Sequence, residues 1–511
     1  MSSRDSLIAI GGALLGAGAA LAISSTASAK RNSFDEELGP RLVRKLSFRT
    51  PPCVVVVDPF SSGMMLCSML VKHGYAVIRV LSNDFGEQLE NLVPKNIEKV
   101  RFVETVRFTQ FYHGSDEDRH SGSQAFKAAV DAIVRRIISI SDVHVENFMV
   151  GCESGVELMD SITEQFKIMD PKNPTILTNG SAGSLARRDK WEMGEKVRRA
   201  GVRAVGQIEC KKGFHEAKQF INQQAEKNGG DFSVVLKPAA SAGSEGVHFA
   251  STMEDAEKYY NMIYGEKNVF GFQNNSVLVQ EFLAGKEYVV DSVSVEGIHK
   301  TVAIYEYDKR ETNGAKFVYF GMRLYESEDG ERERILTEYM HSVLDALDVR
   351  HGPSHGEVMW TSSGPCLVEV GCRPHGGEGT FVAMVERPIG YSQLSVMIDS
   401  HENRSKFFAL PDRPKKHKAF SMEVCLVSYE TGTFLKINEE RLKQIEALES
   451  FIEAEIKIEP KSIMAVTIDF ITSPGAILLC HESKEVIERD QEFIHSIRDL
   501  FILSHANMHT L

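Results

Sequence analysis

The chain has 511 residues, of which 42% are hydrophobic and 25% charged, and a formal net charge of −13 from 58 basic and 71 acidic side chains. This length predicts three or four domains of ordinary globular composition. With no long basic run or basic–aromatic cluster, the negative charge excludes nucleic acid as a main partner. Cys53, Cys67, Cys152, Cys210, Cys366, Cys372, Cys425 and Cys480 are scattered without a CxxC pair, so they read as reduced thiols, not as a disulfide framework or zinc site.

The first 30 residues differ from the rest. Leu7 to Ile23 is an uncharged Gly/Ala-rich run of 17 residues, slightly shorter than the roughly 20 a membrane span needs. Ala27-Ser28-Ala29 resembles a cleavage site, and Lys30-Arg31 follows. A cleaved targeting sequence, an anchor and a disordered tail all fit. The free thiols disfavour export. The expected location is therefore intracellular, in the cytosol or an organelle, with membrane association through residues 7–23 left open. Basic side chains from Lys30 to Lys45 would suit an anchor with its cytosolic side there.

Residues 31–50 read as a polar linker. Cys53–Val57 is a short apolar run suited to a buried strand, Met64–Lys72 a helix with Gly74 just beyond its end, and Tyr75–Val80 the next strand. This is a βαβ unit of a parallel sheet. Ser61-Ser62-Gly63 lies where such folds bind ligands, or is simply a tight turn. Asp116–Gly122 reads as a solvated loop. Asn147–Gly151 and Val156–Lys167 repeat the strand–helix alternation. Asp189 with Glu192 starts a helix in the manner of a capping box, and Gly201 ends it. Val234–Leu236 and Val247–Ala250 are strands around a glycine-rich loop, and Thr252 with Asp255 caps the next helix. Pro411–Lys418 reads as a boundary, followed by strand-like and helix-like segments without a chemical cluster.

Four constellations carry chemistry. In Lys237-Pro238-Ala239-Ala240-Ser241-Ala242-Gly243-Ser244-Glu245-Gly246, small residues would let backbone N–H groups approach phosphate oxygens beside a lysine charge, although a hairpin loop has the same pattern. In Gln280-Glu281-Phe282-Leu283-Ala284-Gly285-Lys286-Glu287, a strand connection could present backbone groups to adenine and Glu287 to ribose hydroxyls; a surface carboxylate is the plain alternative. The third is a hairpin pattern. A turn centred on Ser363 would set Glu357 opposite Glu369, where like charges repel unless a divalent cation lies between them. A one-residue offset would separate them. Last, Arg373 precedes Gly376-Gly377-Glu378-Gly379 and can grip a carboxylate or phosphate bidentately. His355 and His375 read as packing or supporting histidines before catalytic ones.

The ordered set Asp189-Lys190, Lys237 with its loop, Gln280 to Glu287, Glu357, Glu369 and Arg373 resembles the ATP-grasp superfamily. Within it, the chain is similar to carboxylate–amine ligases of the L-amino-acid ligase type, from about Val54 to about Ser400. The resemblance implies an α/β (α+β) chain. A Rossmann-like pre-ATP-grasp domain over 51–185 would precede an ATP-grasp domain over 186–400, with a lid at about 190–280, and a small C-terminal α+β domain over 401–511. It implies that Lys190 and Lys237 contact the nucleotide phosphates. Ser241, Gly243, Ser244 and Gly246 would belong to a loop over them. Glu281 and Leu283 would hold adenine and Glu287 ribose. Glu357 and Glu369 would bind Mg2+, with Mn2+ as an alternative, and Arg373 would steady the carboxylate and its acyl phosphate, with Lys237 also catalytic. The superfamily often has Asn where this chain has Gly371, so the resemblance implies one metal ligand fewer, or a water in its place.

The implied reaction is ATP-dependent amide or peptide bond formation through an acyl phosphate, releasing ADP and phosphate. Small carboxylates and amines, amino acids first, are the expected substrates, and a homodimer is compatible. A ligase with a thiol or bicarbonate-derived acceptor and a non-catalytic nucleotide-binding protein are the alternatives.

Overall fold

The computed structural model describes residues 50–505, apart from 85–96, 98, 115–118, 174–175, 228, 231, 240–244 and 268–272. The N-terminal segment 1–30, the linker up to residue 49, positions 116–118 of the acidic loop, and Ser241, Gly243 and Ser244 therefore lie outside the described residues. No described helix is long and apolar enough to cross a membrane.

Strands β1 (Pro52–Val57), β2 (Ala76–Leu81), β3 (Glu104–Arg107) and β4 (His144–Val150) form a parallel sheet in the order β3-β2-β1-β4. Val54 to Val57 are wholly buried, as a continuous apolar run becomes when a parallel sheet is covered on both faces. The helix Ser62–Lys72 ends at His73, and Gly74 follows with φ 90°. Strand order reverses between β1 and β4, so the loops after these two strands, at 58–63 and 151–155, border the crevice of a topological switch point.

A second sheet is antiparallel, in the order β5-β8-β6-β7. Its strands are β5 (Gln207–Cys210), β6 (Val234–Pro238), β7 (His248–Ala250) and β8 (Val277–Glu281). With the helices Phe214–Lys227 and Met253–Ile263 it encloses its own apolar core, including Phe220, Ile221, Val234, Tyr260 and Val277. Thr252 caps the second helix by accepting from the Asp255 N–H. Asp189 likewise caps Lys190–Arg199 by accepting from the Glu192 N–H, and Gly201 with φ 78° lies just past that helix.

The largest sheet contains β9 (Lys286–Val295), β10 (Ile298–Thr312), β11 (Ala315–Leu324), β12 (Gly352–Thr361), β13 (Gly364–Gly371) and β14 (Phe420–Cys425). Beyond β15 (Gly432–Ile437) come β16 (Phe451–Ile456), β17 (Ile463–Met464), β18 (Gly475–His481) and β19 (Phe501–Ser504). Eight of these pair in the order β13-β12-β9-β10-β11-β14-β18-β16, while β17-β15-β19 make a small separate sheet. Pro411–Lys418, read as a boundary, thus does not divide two sheets, because β14 pairs with β11 and carries the same sheet onward. Alternation along β9 gives this sheet a core on each face. Val289 and Val293 join Leu66, Leu70 and Phe381 on one side, while Tyr288 and Val290 join Met340 and Leu344 on the other.

Candidate active site

The two carboxylates of the hairpin meet, but not through the turn expected. Ser362-Ser363 is a two-residue connection closed by the Thr361–Gly364 pair, so a regular ladder would set Glu357 opposite Val368. The register slips by one between Glu357 and Val358, and Glu357 pairs with Glu369. This is a β-bulge with Val368 as the extra residue. Without the bulge, the two acids would fall on opposite faces. With it, both line one cavity, together with Lys190, Lys237, Glu281, Leu283, Glu287 and Arg373.

Lysines and a guanidinium face these acids. Lys190 Nζ lies 3.1 Å from Glu369 Oε2. Lys237, on β6, is buried; burial pushes its ammonium down to about 8 against the pull of Glu369. Lys309, from the inner face of β10, donates to both oxygens of Glu287 at 2.7 and 2.8 Å. Burial opposes the charge on Lys309, but Glu287 outweighs it and holds the ammonium well above its usual range. Burial also raises the Glu287 carboxyl, opposed by Lys309. For Glu357, burial is outweighed by His355, Lys309 and Arg373, and its carboxyl stays well below the ordinary range.

Arg373 leaves the end of β13 and donates from Nε to Glu153 Oε2 at 3.1 Å and from NH1 to Pro374 O at 3.1 Å. Arg188 approaches the other Glu153 oxygen at 3.5 Å. Gly371 makes room for this group, since a Cβ there would sit 2.6 Å from Glu153 Oε2. The loops of the parallel sheet close the other side. Asp58, fully buried, accepts from Ser82 N–H at 2.7 Å, Ser82 Oγ at 2.6 Å and Ser154 Oγ at 2.6 Å. Ser62 Oγ donates to Gly376 O at 3.0 Å, and Ser61 Oγ accepts from Glu378 N–H at 2.8 Å. Thus the loop after β1 is tied to the loop that follows Arg373.

The site draws charge-bearing groups from three sheets into one crevice. Two acids stand across a strand pair with cationic groups around them, a donor set that fits a hard divalent cation shared with phosphate oxygens. A separate buried cluster of Asp291, His355 and His375 has its polar atoms within 4.8 Å of one another. Its closest approaches, 2.7 and 2.9 Å, are those of hydrogen bonds between each Nδ1 and the carboxylate.

Residues 230–381 match the family model of the ATP-grasp domain. Dapdiamide A synthase of Enterobacter agglomerans is 29% identical over 452 residues, covering 88% of this chain and 95% of that protein. Residues 230–381 are therefore an ATP-grasp domain. The chain is an ATP-dependent ligase of the carboxylate–amine type. Among solved structures, an L-amino acid ligase from Bacillus licheniformis matches its fold with TM-score 0.65 at 16% identity, over 90% of this chain and 100% of that one. The biotin carboxylase domain of a Hydrogenobacter thermophilus 2-oxoglutarate carboxylase, in complex with MgADP, matches with TM-score 0.55 at 12% identity, over 89% of this chain and 91% of that one.

Not every residue singled out in this ATP-grasp chain sits as expected. Glu281 engages Gly206 twice, its backbone N–H on the carbonyl at 2.9 Å and its carboxylate on the N–H at 2.7 Å. Its backbone N–H is therefore not free for a base. Gly246 has φ 65°, and a Cβ there would sit 3.2 Å from the Pro238 ring, which explains a glycine there without any phosphate. Sequence reasoning missed Asp291, and it placed Glu153, Tyr307 and Lys309 only within the segments 153–156 and 301–325 expected to wall the pocket, without individual roles. For Lys309 a signal existed: Tyr305, Tyr307 and Lys309 alternate at period two, so an inward lysine follows two inward tyrosines. Glu153 stood out as part of the Glu153-Ser154-Gly155-Val156 motif, but nothing in the sequence pointed to Arg373, because only the fold brings the two together.

Proposed function

We propose that the chain joins an amino acid, activated at its carboxylate, to the amino group of a second amino acid. The observation that carries this reading is the opposition of Glu357 and Glu369 in a crevice shared with Lys190, Lys237 and Arg373. Phosphoryl transfer needs positioning and charge neutralisation more than a nucleophilic side chain, and this donor set suits that need. Lys190 and Lys237 would meet the nucleotide phosphates. Leu283 would contact adenine through its backbone, and Glu287, steadied by Lys309, the ribose. Glu357 and Glu369 would hold magnesium, which when bound neutralises charge on the terminal phosphates. Arg373, its guanidinium oriented by Glu153, would hold the donor carboxylate as it attacks the γ-phosphorus, and then the acyl phosphate.

The relative named for dapdiamide A synthesis supports an amide product, and the L-amino acid ligase of the same fold supports amino-acid substrates. The test is phosphate release measured against pairs of amino acids and other carboxylates, with nucleotide products resolved by anion exchange. The expected result is ADP and phosphate in equal amounts, dependent on both partners. AMP and pyrophosphate as the main products would overturn the mechanism.

A further inference from the structure

His355 and His375 look alike in the sequence, and the structure separates them. Both imidazoles bond through Nδ1 to the same carboxylate, His355 to Asp291 Oδ1 at 2.9 Å and His375 to Oδ2 at 2.7 Å. Asp291 is fully buried on β9. Burial alone would raise its carboxyl, yet the two rings outweigh it and hold the group ionised. An ionised carboxylate only accepts hydrogen bonds, so each ring donates to it from Nδ1, and the neutral His375 ring leaves a lone pair on Nε2.

The two Nε2 atoms have different surroundings. That of His355 lies 3.7 Å from Glu357 Oε1; burial opposes the charge on this ring, but Asp291 and Glu357 outweigh it and favour the protonated form. That of His375 has no hydrogen-bond partner among the described residues, and His375 lines the cavity that contains Arg373 and Glu357. Its ring is held from several sides. It stacks on Phe381 at a centroid separation of 4.9 Å and meets Tyr305 edge-on at 5.2 Å. Its backbone N–H donates to Gln393 Oε1 at 2.8 Å, and Gln393 Nε2 donates in turn to the carbonyls of Ser292 and Ser354. The charged groups facing it are Asp291 on β9, His355 on β12 and Arg373 in its own loop; burial, His355 and Arg373 lower its basicity, and Asp291 raises it. A fixed ring with an anion behind one nitrogen and a lone pair at the cavity is built to accept a proton.

We propose that His375 is the base that takes a proton from the ammonium group of the acceptor, so that the acceptor attacks as a free amine. This rests on the acyl-phosphate reading above. The acceptor R–NH3+ gives one proton to His375 Nε2, forming an imidazolium against Asp291. The freed lone pair forms the C–N bond at the acyl carbon. The C–O bond to the phosphoryl group breaks, its electron pair leaves on inorganic phosphate, and the second nitrogen proton goes to that phosphate.

Hydroxylamine provides the test, because it is largely unprotonated at neutral pH and needs no base. The full chain is supplied with ATP, magnesium, the donor amino acid and a mixture of acceptor amino acid and hydroxylamine, and amide and hydroxamate are both measured. In His375→Gln and His375→Asn the amide-to-hydroxamate ratio is expected to fall by about 100-fold or more, as general-base contributions run to about 10²–10⁴-fold. The deficit should shrink as pH rises toward the ammonium's own pKa. An unchanged ratio in either variant overturns the proposal, whatever the absolute rates. So does a variant that binds ATP but makes neither product. If the wild-type chain makes amide but no hydroxamate, the acyl-phosphate reading falls, and this proposal with it.

Discussion

Arg187 and Arg373 are both guanidinium groups paired to an acid inside the fold, and their surroundings differ. Arg187 is wholly buried and uses every nitrogen. Nε donates to Asp160 Oδ2 at 3.0 Å, NH1 to Leu347 O at 3.2 Å, and NH2 to Gly180 O. Arg373 is half-buried, faces the crevice, and leaves NH2 without a hydrogen-bond partner among the described residues. A saturated buried pair ties helices and loops together. An unsaturated one beside a cavity keeps an N–H donor outside the fold's own hydrogen bonds. The acids differ too: Asp160 serves Arg187 and Ser184 inside the fold, whereas Glu357 and Glu369 stand opposite each other and line the crevice, with Lys190 3.1 Å from Glu369.

Breaking the saturated pair should give the largest effect, and on stability. Arg187→Ala leaves Asp160 buried without its cation, which costs about 3–5 kcal/mol. Urea denaturation should show that loss, while the folded fraction keeps the wild-type KM for ATP. A KM shift of tenfold would place Arg187 in the site and erase the contrast. Glu369→Gln should do the reverse, with an unchanged urea midpoint and a turnover lower by about 10²–10³-fold, the range for removing one charge-stabilising group. Turnover within twofold of wild type would remove Glu369 from the mechanism.

Smaller effects sharpen the comparison. Arg373→Lys retains charge but turns a fork into a point contact, and turnover should fall about tenfold or more, on the scale of the roughly 1.5–3 kcal/mol carried by a charged hydrogen bond. Full activity would mean that the planar geometry is irrelevant. Lys237→Ala should weaken ATP binding about tenfold by calorimetry at fixed salt, on the same energy scale. The smallest expected effect is on pH. With Lys237 at about 8 in the free protein, phosphates favour its charged form, so ATP affinity is full below that value and declines as pH rises through it, by at most about tenfold per unit. Lys237→Ala should flatten this decline, and a slope unchanged in the variant would assign it to another group.

Much of the chemistry was legible because it is local. Asp189, Thr252 and Gly74 mark helix ends through contacts within a few residues, and the apolar run at 53–57 needs only burial on both faces. Lys237, Glu287, Glu357, Glu369 and Arg373 stood out because each lies in or next to a short strand, hairpin or glycine-rich loop, whereas Lys190 entered only through the resemblance of the ordered set. The Glu357–Glu369 pairing was reached by counting from the wrong turn centre, and a bulge at Val368 makes up the difference. No count along one strand reveals a bulge, since it depends on how two strands and their neighbours pack.

What the sequence determined by itself is therefore the alternation of strands and helices, the caps, and the roster of charged groups, all set by interactions that reach no further than a turn or a hairpin. The tertiary structure decided which of those groups meet. Glu153 reaches Arg373 across 220 positions of chain, Lys309 reaches Glu287 across one strand pair, and Asp291 collects two histidines from different segments. It also decided that β14 extends the central sheet, so that a segment that looked separate adds Glu423 and Phe470 to the wall of the crevice. Side chains far apart in sequence meet only when sheet order and register bring their backbones together. That order is fixed by burying both faces of one large sheet, a property of the whole chain and of no single segment.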